Sequence, residues 1–263
     1  GDSVQGARKR TPVKSLTYDH PPVEAKAEPK RKKIKKASKG SKKNSISKPA
    51  PASSGVDSAT FQVALSGMRS KVREMCRKHA QKCGVVILDC PKEWTSAITH
   101  LITPTLGRSE KTLAGMAAGA WVLKKSWLRE SGQKKKVLDE GEHFATSNNE
   151  ATVDKDAAEM WRRHMESTKQ KAFHNLKAVF HPECAVNAPS KDTLVRIFKA
   201  GGGTALNWGQ RVSEEVDFAV VPVGRDDELE LHRSKVTCVT DLYLIEWLAF
   251  PTKDLARHIV HRA

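Results

Sequence analysis

The sequence predicts an α/β protein in which two similar units follow a basic, disordered N-terminal segment. Short apolar runs typical of buried strands alternate with segments whose apolar residues recur at helical spacing. The same order of elements returns about 110 residues later. The composition also changes at Phe61, before which aromatic residues are almost absent.

Residues 1–58 are rich in Lys, Pro, Ser and Ala. Such a segment buries too little apolar surface to offset the entropy lost on ordering, so we predict disorder. Residues 1–60 contain 15 Lys and Arg against 5 Asp and Glu, a net +10 of the chain's +16. The basic run at 29–36 follows a proline and is typical of a nuclear import signal. A solvated segment that binds DNA is the alternative, and both can hold.

The first unit is predicted to span residues 59–147, in the order βαββαβα. A strand is expected at 61–65, where apolar and polar residues alternate, and further short strands are expected at 85–88, 99–103 and 120–123. Helices are expected at 68–82, at 109–119 with Ser109 as the N-cap, and from 126 onward. The inward side of the first helix is predicted to carry Met68, Val72, Met75 and Cys76. This alternation favours a mainly parallel sheet that is covered by helices.

A linker is predicted at 148–172, with a helix over 152–172 that packs against a neighbour. Its apolar face carries Ala157, Met160, Trp161, His164 and Met165. The second unit, 173–263, then repeats the pattern. Strands are expected at 176–180 and 218–223, a helix at 192–200 that ends in three glycines, and a strand at 236–240 before a last helix.

Several function classes find no support in the sequence. The five cysteines form no CxxC pair, which fits reduced thiols inside a cell and matches no zinc pattern. No apolar run approaches the ~18 residues of a membrane span. There is no GxGxxG or P-loop motif. The cluster at 181–184 (His-Pro-Glu-Cys) could suggest a thiol or metal site, but it has no partner motif. We therefore expect no enzyme activity, no cofactor and no metal.

Three stretches of the first unit resemble the tandem BRCT family. They are Thr99-His100-Leu101-Ile102, the glycine-containing helix-to-strand junction at 115–123, and Trp127. The second unit matches more loosely, with glycines at 201–203 and Tyr243 where the tryptophan usually stands. The resemblance covers roughly 60–260. It implies two BRCT-type repeats, each with a four-stranded, mainly parallel sheet flanked by helices, and no catalytic site.

The resemblance also implies a phosphate pocket, since many tandem BRCT pairs bind a phosphoserine peptide across the junction of the repeats. Ser66, Gly67 and Lys111 stand at the places that supply a hydroxyl, a backbone N–H and a charge. The chemistry is suitable because Gly67 permits close approach of the backbone at a helix start, and Lys111 offers a compact cation. The alternative is a surface turn with a solvated lysine.

The peptide beyond the phosphoserine is expected to contact both repeats. Arg108 lies three residues before Lys111, so on a helix both would share one face, but Arg108 precedes the expected cap Ser109, which makes its direction less well defined than that of Lys111. By resemblance, Arg108 holds the peptide main chain or its free C-terminal carboxylate. At Asp241 some relatives carry Arg, which leaves Arg108 as the main anchor. A pocket for the third residue after the phosphoserine is assigned to Leu113, Asn187, Ala188 and Pro189, with ordinary packing between the repeats as the alternative.

These observations favour a nuclear phosphoserine-peptide adaptor of the DNA-damage response. The combination of Arg108 and Lys111 resembles that of readers of the phosphorylated C-terminal tail of a variant core histone, so the resemblance implies this tail, or a damage-signalling protein, as the partner. The alternative is a BRCT scaffold or DNA-binding protein whose affinity comes mainly from the basic segment. Nonspecific DNA contact through residues 1–58 is open in either case. No membrane partner is expected.

Overall fold

The computed structural model describes residues 61–88, 94–184, 189–208, 216–222 and 236–261. The first unit forms a four-stranded parallel sheet in the order β2-β1-β3-β4. Its elements follow the predicted order βαββαβα. They are β1 (Gln62–Leu65), α1 (Ser70–Lys82), β2 (Val86–Ile87), β3 (His100–Thr103), α2 (Glu110–Ala117), β4 (Trp121–Lys124) and α3 (Lys125–Lys134).

The second unit repeats this arrangement after the linker helix. Its sheet has the order β6-β5-β7-β8-β9, in which the first four strands are parallel. A fifth strand, β9, pairs antiparallel with β8 and was not expected. The elements are α4 (Ala157–Thr168), β5 (Lys177–Phe180), α5 (Lys191–Ala200), β6 (Thr204–Leu206), β7 (Phe218–Val221), β8 (Thr237–Thr240), α6 (Tyr243–Ala249), a 3-10 helix (Ala256–His258) and β9 (Ile259–His261). The predicted α/β class and the mainly parallel sheets are confirmed.

Two local predictions differ from the structure. Met75 is 50% exposed, because the inward side of α1 is centred on Cys76 and Ala80. The linker helix is also shorter than the predicted 152–172. Turns precede it, and Lys169 ends it in the left-handed conformation with φ of 59°.

The first repeat has a separate apolar core between its sheet and the pair α1–α3. Trp127 is fully buried there and its indole N–H donates to the carbonyl of Leu138 (2.9 Å). Its ring stacks on buried His100 at 5.1 Å between centroids. The signature tryptophan therefore joins α3 to the sheet and to the loop that follows α3.

A second, larger core joins the two repeats. Helix α2 packs against α5 and α6 of the second repeat, and α4 packs against α2 and α6. The indole N–H of Trp161 donates to the carbonyl of Leu248 (2.9 Å). The backbone N–H of Ala172 donates to the backbone carbonyl of Ala117 (3.0 Å). The linker thus holds the repeats against each other, as its apolar face predicted. None of the helices in the described ranges is long and apolar enough to cross a membrane.

Candidate functional site

The residues that were predicted to bind phosphate lie at the carboxyl edge of the first sheet. Strands β1 and β3 are parallel with Leu65 opposite Ile102, and the backbone N–H of Ser66 donates to the Ile102 carbonyl (2.9 Å). Helices α1 and α2 both begin just after these strand ends, so both N-termini lie at this edge. Helix N-termini carry free N–H groups and a partial positive charge, which favours an anion here.

Gly67 has a backbone conformation that suits glycine. Its φ is +64°, in the left-handed region where other residues are strained. Neighbouring Ser66 is only 7% exposed, and its hydroxyl has no hydrogen-bond partner among the residues that the structure describes. This hydroxyl is therefore available to a ligand oxygen at the end of β1.

Lys111 is the second residue of α2 and follows the predicted cap. The Ser109 hydroxyl accepts from the backbone N–H of Thr112 (3.3 Å), so Ser109 is the N-cap. Beside it, Glu110 receives two hydrogen bonds from Arg196 of the second repeat (2.7 and 2.9 Å). These bonds, and to a smaller extent the charge of Lys111, lower the pKa of Glu110. The one carboxylate in the first turn of α2 is thereby neutralised by the second repeat.

Arg108 does not share a helix face with Lys111, and that prediction is wrong. Helix α2 begins only after Ser109, so the i, i+3 relation does not apply. Instead Arg108 contacts the linker and the second repeat. Its Nε donates to the carbonyl of Thr152 (2.7 Å), Nη2 lies 3.6 Å from Oε1 of Glu246, and the guanidinium lies 5.6 Å from the Phe250 ring centroid. Its Nη1 has no partner in the described part of the chain.

The sequence reasoning missed the group of charges around Glu246. This buried carboxylate faces Arg257, Lys253 (3.7 Å) and His258 (3.3 Å) in addition to Arg108. Burial raises the pKa of Glu246, but hydrogen bonds from Arg257 and His258 outweigh it, so the pKa is lowered. Three fixed cations therefore surround one carboxylate. The absence of Arg at position 241 does not leave Arg108 as the sole cation at this junction.

The residues assigned to the peptide pocket lie in different environments. Leu113 is fully buried in the core between the repeats. Asn187 and Ala188 lie outside the described residues. Pro189 is partly buried and precedes Ser190, the N-cap of α5. The structure thus brings Ser66, Gly67 and the start of α2 to one edge, and it leaves the peptide pocket as a prediction.

The second repeat offers different chemistry at the equivalent edge. The backbone N–H of His181 donates to the Val220 carbonyl (2.9 Å), which repeats the bond from Ser66 to Ile102. His181 and Pro182 therefore occupy the positions of Ser66 and Gly67. Proline has no N–H to donate to a phosphate. Of the carboxyl edges of the two sheets, the edge of the first repeat has the arrangement that suits a phosphate, and the edge of the second repeat does not.

The register also identifies the counterpart of Trp127 in the second repeat. Ile102 pairs with Leu123 in the first sheet, and Val220 pairs with Val239 in the second. Four residues after each of these strand positions come Trp127 and Tyr243. Tyr243 is buried as well, and burial raises its pKa to about 12. The sequence assignment of Tyr243 to the tryptophan position agrees with this register.

The His181–Cys184 cluster does not have the properties of a thiol site. Cys184 is buried, and burial raises its pKa to about 11, so the thiol stays protonated at neutral pH. The Nδ1 of His181 accepts from the Glu183 backbone N–H (3.1 Å), and its ring lies edge-on against Trp208. Within the described ranges, no three His, Cys, Asp or Glu side chains are grouped as a metal site requires.

Sequence comparison finds several relatives, of which the first is named for a BRCT domain. The chain is 29% identical over 206 residues to the BRCT domain-containing protein At4g02110 of Arabidopsis thaliana, a match that covers 73% of this chain. It is 33% identical over 161 residues to SMC5-SMC6 complex localization factor protein 1 of Mus musculus, which covers 57% of this chain. These matches span only 15% and 14% of the relatives. No protein-family model matches the chain.

Solved structures with a similar fold have low sequence identity. The complex of Rtt107p with a phosphorylated histone is 14% identical, with a TM-score of 0.47 over 78% of this chain and 93% of that one. The BRCT5–BRCT6 domains of S. pombe Brc1 are 15% identical, with a TM-score of 0.43 over 69% and 76% of the two chains. In its repeated fold and in its sequence, the described part of the chain is similar to tandem BRCT domains.

Proposed function

We propose that the chain is a phosphoserine-peptide-binding adaptor of the DNA-damage response that acts in the nucleus. Its peptide would place the phosphate at the carboxyl edge of the first sheet and run toward the second repeat. The partner we favour is the phosphorylated C-terminal tail of a variant core histone. Relatives named for the SMC5-SMC6 complex and for association with BRCA1 support the cellular setting.

The unpartnered hydroxyl of Ser66 beside Gly67 is the observation that carries this proposal. A phosphate dianion needs donors and positive charge. Ser66 offers a donor, the two helix N-termini offer free N–H groups, and Lys111 adds a full charge at the start of α2. At the equivalent edge of its own sheet, the second repeat has His181 and Pro182. This difference supports a single phosphate site in the first repeat.

Arg108 supports the direction of the peptide. It connects the start of α2 to Glu246 and Phe250 of the second repeat and keeps Nη1 without a partner among the described residues. A guanidinium presents paired donors that match a carboxylate. A free C-terminal carboxylate a few residues after the phosphoserine would therefore bind at the junction, where Lys253 and Arg257 add positive charge.

Fluorescence anisotropy with a labelled Ser-Gln-Glu-Tyr peptide, phosphorylated and unphosphorylated, tests the phosphate site. We expect the wild-type chain to prefer the phosphorylated form. Lys111→Met removes a charge-assisted hydrogen bond of about 1.5–3 kcal/mol, so the affinity should fall about 10- to 100-fold. Lys191→Met is the matched control, because Lys191 also lies in the first turn of a serine-capped helix, α5. Equal affinity of the wild type for both peptides refutes the proposal.

The same assay with free-acid and amidated phosphopeptides tests Arg108. Arg108→Ala should weaken the free-acid peptide about tenfold and the amidated peptide much less, since only the former has a carboxylate to bind. Arg163→Ala, an exposed arginine of α4, serves as the control and should change neither. Equal losses for the two peptides would remove the carboxylate role and leave Arg108 as a contact between the repeats.

A further inference from the structure

The excess of positive over negative charge in residues 61–263 comes from two segments. Residues 69–82 and 124–136, which comprise α1 and α3 with their flanks, contain twelve Lys and Arg against two Glu, a net +10. The other residues of 61–263 contain 19 Lys and Arg against 23 Asp and Glu, a net −4. Residues 61–263 therefore have a strongly uneven distribution of charge, although their net charge is only +6.

Helices α1 and α3 lie side by side on one face of the first sheet. A Cβ on Gly132 of α3 would lie 2.7 Å from the carbonyl oxygen of His79 in α1, so the two backbones are in close contact. Both helices bury their apolar sides against the sheet. Their basic side chains consequently point outward together, and the exposed ones are Arg69, Lys71, Arg77, Lys78, Lys82, Lys125, Arg129, Lys134, Lys135 and Lys136. We call this surface the α1–α3 basic face.

Two ion pairs within the described ranges oppose this charge. Glu74 lies 4.0 Å from Lys78, and Glu130 lies 3.2 Å from Arg129. Both ion pairs are exposed to solvent, so each contributes little and exchanges readily for another anion. The α1–α3 basic face thus keeps a large excess of positive charge available to a partner.

We propose that the α1–α3 basic face binds the phosphate backbone of duplex DNA without reading its sequence. The 13 residues of α1 extend about 20 Å, and B-DNA carries about one charge per 1.7 Å of its axis. Several phosphates can therefore be contacted at once. This surface extends along the two helices, whereas the proposed phosphoserine site is confined to the carboxyl edge of the sheet.

Duplex DNA fits this face better than a single strand or a membrane. Single-stranded nucleic acid is held largely by stacking on aromatic side chains. The helix α1 has no aromatic residue except His79, and the tryptophan of α3 is buried. A membrane-surface helix needs an exposed apolar side, but the apolar side of α1 packs on the sheet. Among the described residues the exposed large apolar side chains are Met75 and Val86.

The test compares two double variants of the full chain that lose the same charge. Lys78→Gln with Lys134→Gln changes the basic face, and Lys155→Gln with Lys199→Gln changes exposed lysines elsewhere. The probe is a labelled duplex of about 20 base pairs, titrated between about 50 and 200 mM salt. Loss of two phosphate contacts should reduce the slope of log affinity against log salt by about 1.8 and lower the affinity about tenfold or more at about 0.1 M salt. The control variant should match the wild type.

Three further readouts keep the outcome unambiguous. If both variants bind the duplex like the wild type, the DNA affinity comes from residues 1–58 and the proposal is overturned. If the basic-face variant instead loses binding to phosphatidylserine vesicles while duplex binding is unchanged, the partner is a membrane and the proposal is again overturned. Unchanged phosphopeptide affinity and melting temperature would show that the variant is folded. Should it not fold, Lys71→Gln with Lys136→Gln tests the same face.

Discussion

Replacement of Gly132 by alanine examines how closely α1 and α3 pack. Gly132 lies inside α3 with an ordinary negative φ, so the backbone itself accepts alanine. A Cβ at this position would lie 2.7 Å from the oxygen, 2.9 Å from the Cα and 2.9 Å from the Cβ of His79. The first two of these atoms belong to the backbone of α1 and cannot rotate away. Alanine can be accommodated only if the two helices move apart.

Two opposing effects determine the sign of the change. Alanine is a better helix former than glycine by about 0.5–1 kcal/mol, which alone would stabilise α3. Overpacking of a core costs about 1–3 kcal/mol, and the upper end applies because the obstacle is backbone. The free energy of unfolding should therefore fall by about 2 kcal/mol. For a folded part of about 200 residues this lowers Tm by about 4–8 °C.

Urea unfolding monitored by circular dichroism measures this difference. Gly107→Ala is the control, because no atom lies within 4 Å of a Cβ built there and its φ is not positive. That variant should stay within about 0.5 kcal/mol of the wild type. A Gly132→Ala protein as stable as the wild type, or more stable, would mean that α1 and α3 do not approach as described. It would also weaken the case for one continuous basic face.

Arg196→Ala should lower the free energy of unfolding in urea by about 1–2 kcal/mol, because it breaks a half-buried bidentate pair with Glu110. Arg163→Ala, which removes a more exposed pair with Glu159, should lower it by less than about 0.5 kcal/mol. Trp161→Phe should lower the unfolding free energy by about 1 kcal/mol, because the carbonyl that the indole binds loses its donor. The pKa values of Glu110 and Glu246 are lowered by folding. The stabilisation of the folded state by these two carboxylates is therefore present at neutral pH and is lost as pH falls below about 4.5. In acid titrations followed by fluorescence, Glu110→Gln and Glu246→Gln should each reduce this loss of stability.

The first repeat could be predicted in detail because its signals are local. The run 99–102 is short and ends in two apolar residues, which indicates a strand, and the glycine junction before β4 marks the end of α2. Trp127 follows at a fixed distance at the position of the family's signature tryptophan, and the structure shows that it is buried. Ser109 was recognised as a cap from its position before an apolar periodic segment, and the structure shows the bond that a cap makes.

The contacts between the repeats could not be predicted, because they join residues far apart in the chain. The sequence around Arg108 contains nothing that indicates Thr152, Glu246 or Phe250 as its partners. The charges at Lys253 and Arg257 follow the last helix, beyond any motif. Strand β9 is only three residues long and has no alternating pattern, so periodicity could not reveal it.

The distribution of charge over the folded surface could also not be predicted from positions in the chain alone. Counting by segment attributes most of the excess to residues 1–60, with a net +6 for the rest. That +6 consists of +10 on α1, α3 and their flanks and −4 elsewhere. Sequence alone shows basic residues in both helices, but only the fold shows that the two helices are neighbours. The polarisation is therefore a property of the tertiary structure.

The proposed phosphate site of the first repeat would depend on the second repeat through α2. Lys111 follows two residues that contact the linker and the partner repeat, since Arg108 is held by Thr152 and Glu246 and Glu110 is held by Arg196. Without the second repeat, Glu110 would present an unpaired carboxylate beside the phosphate and repel it. The second repeat fixes the start of α2 and neutralises the Glu110 carboxylate, whose charge would oppose a phosphate at the proposed site. Under the proposed function, a single phosphate site in the first repeat would therefore need both repeats for its affinity.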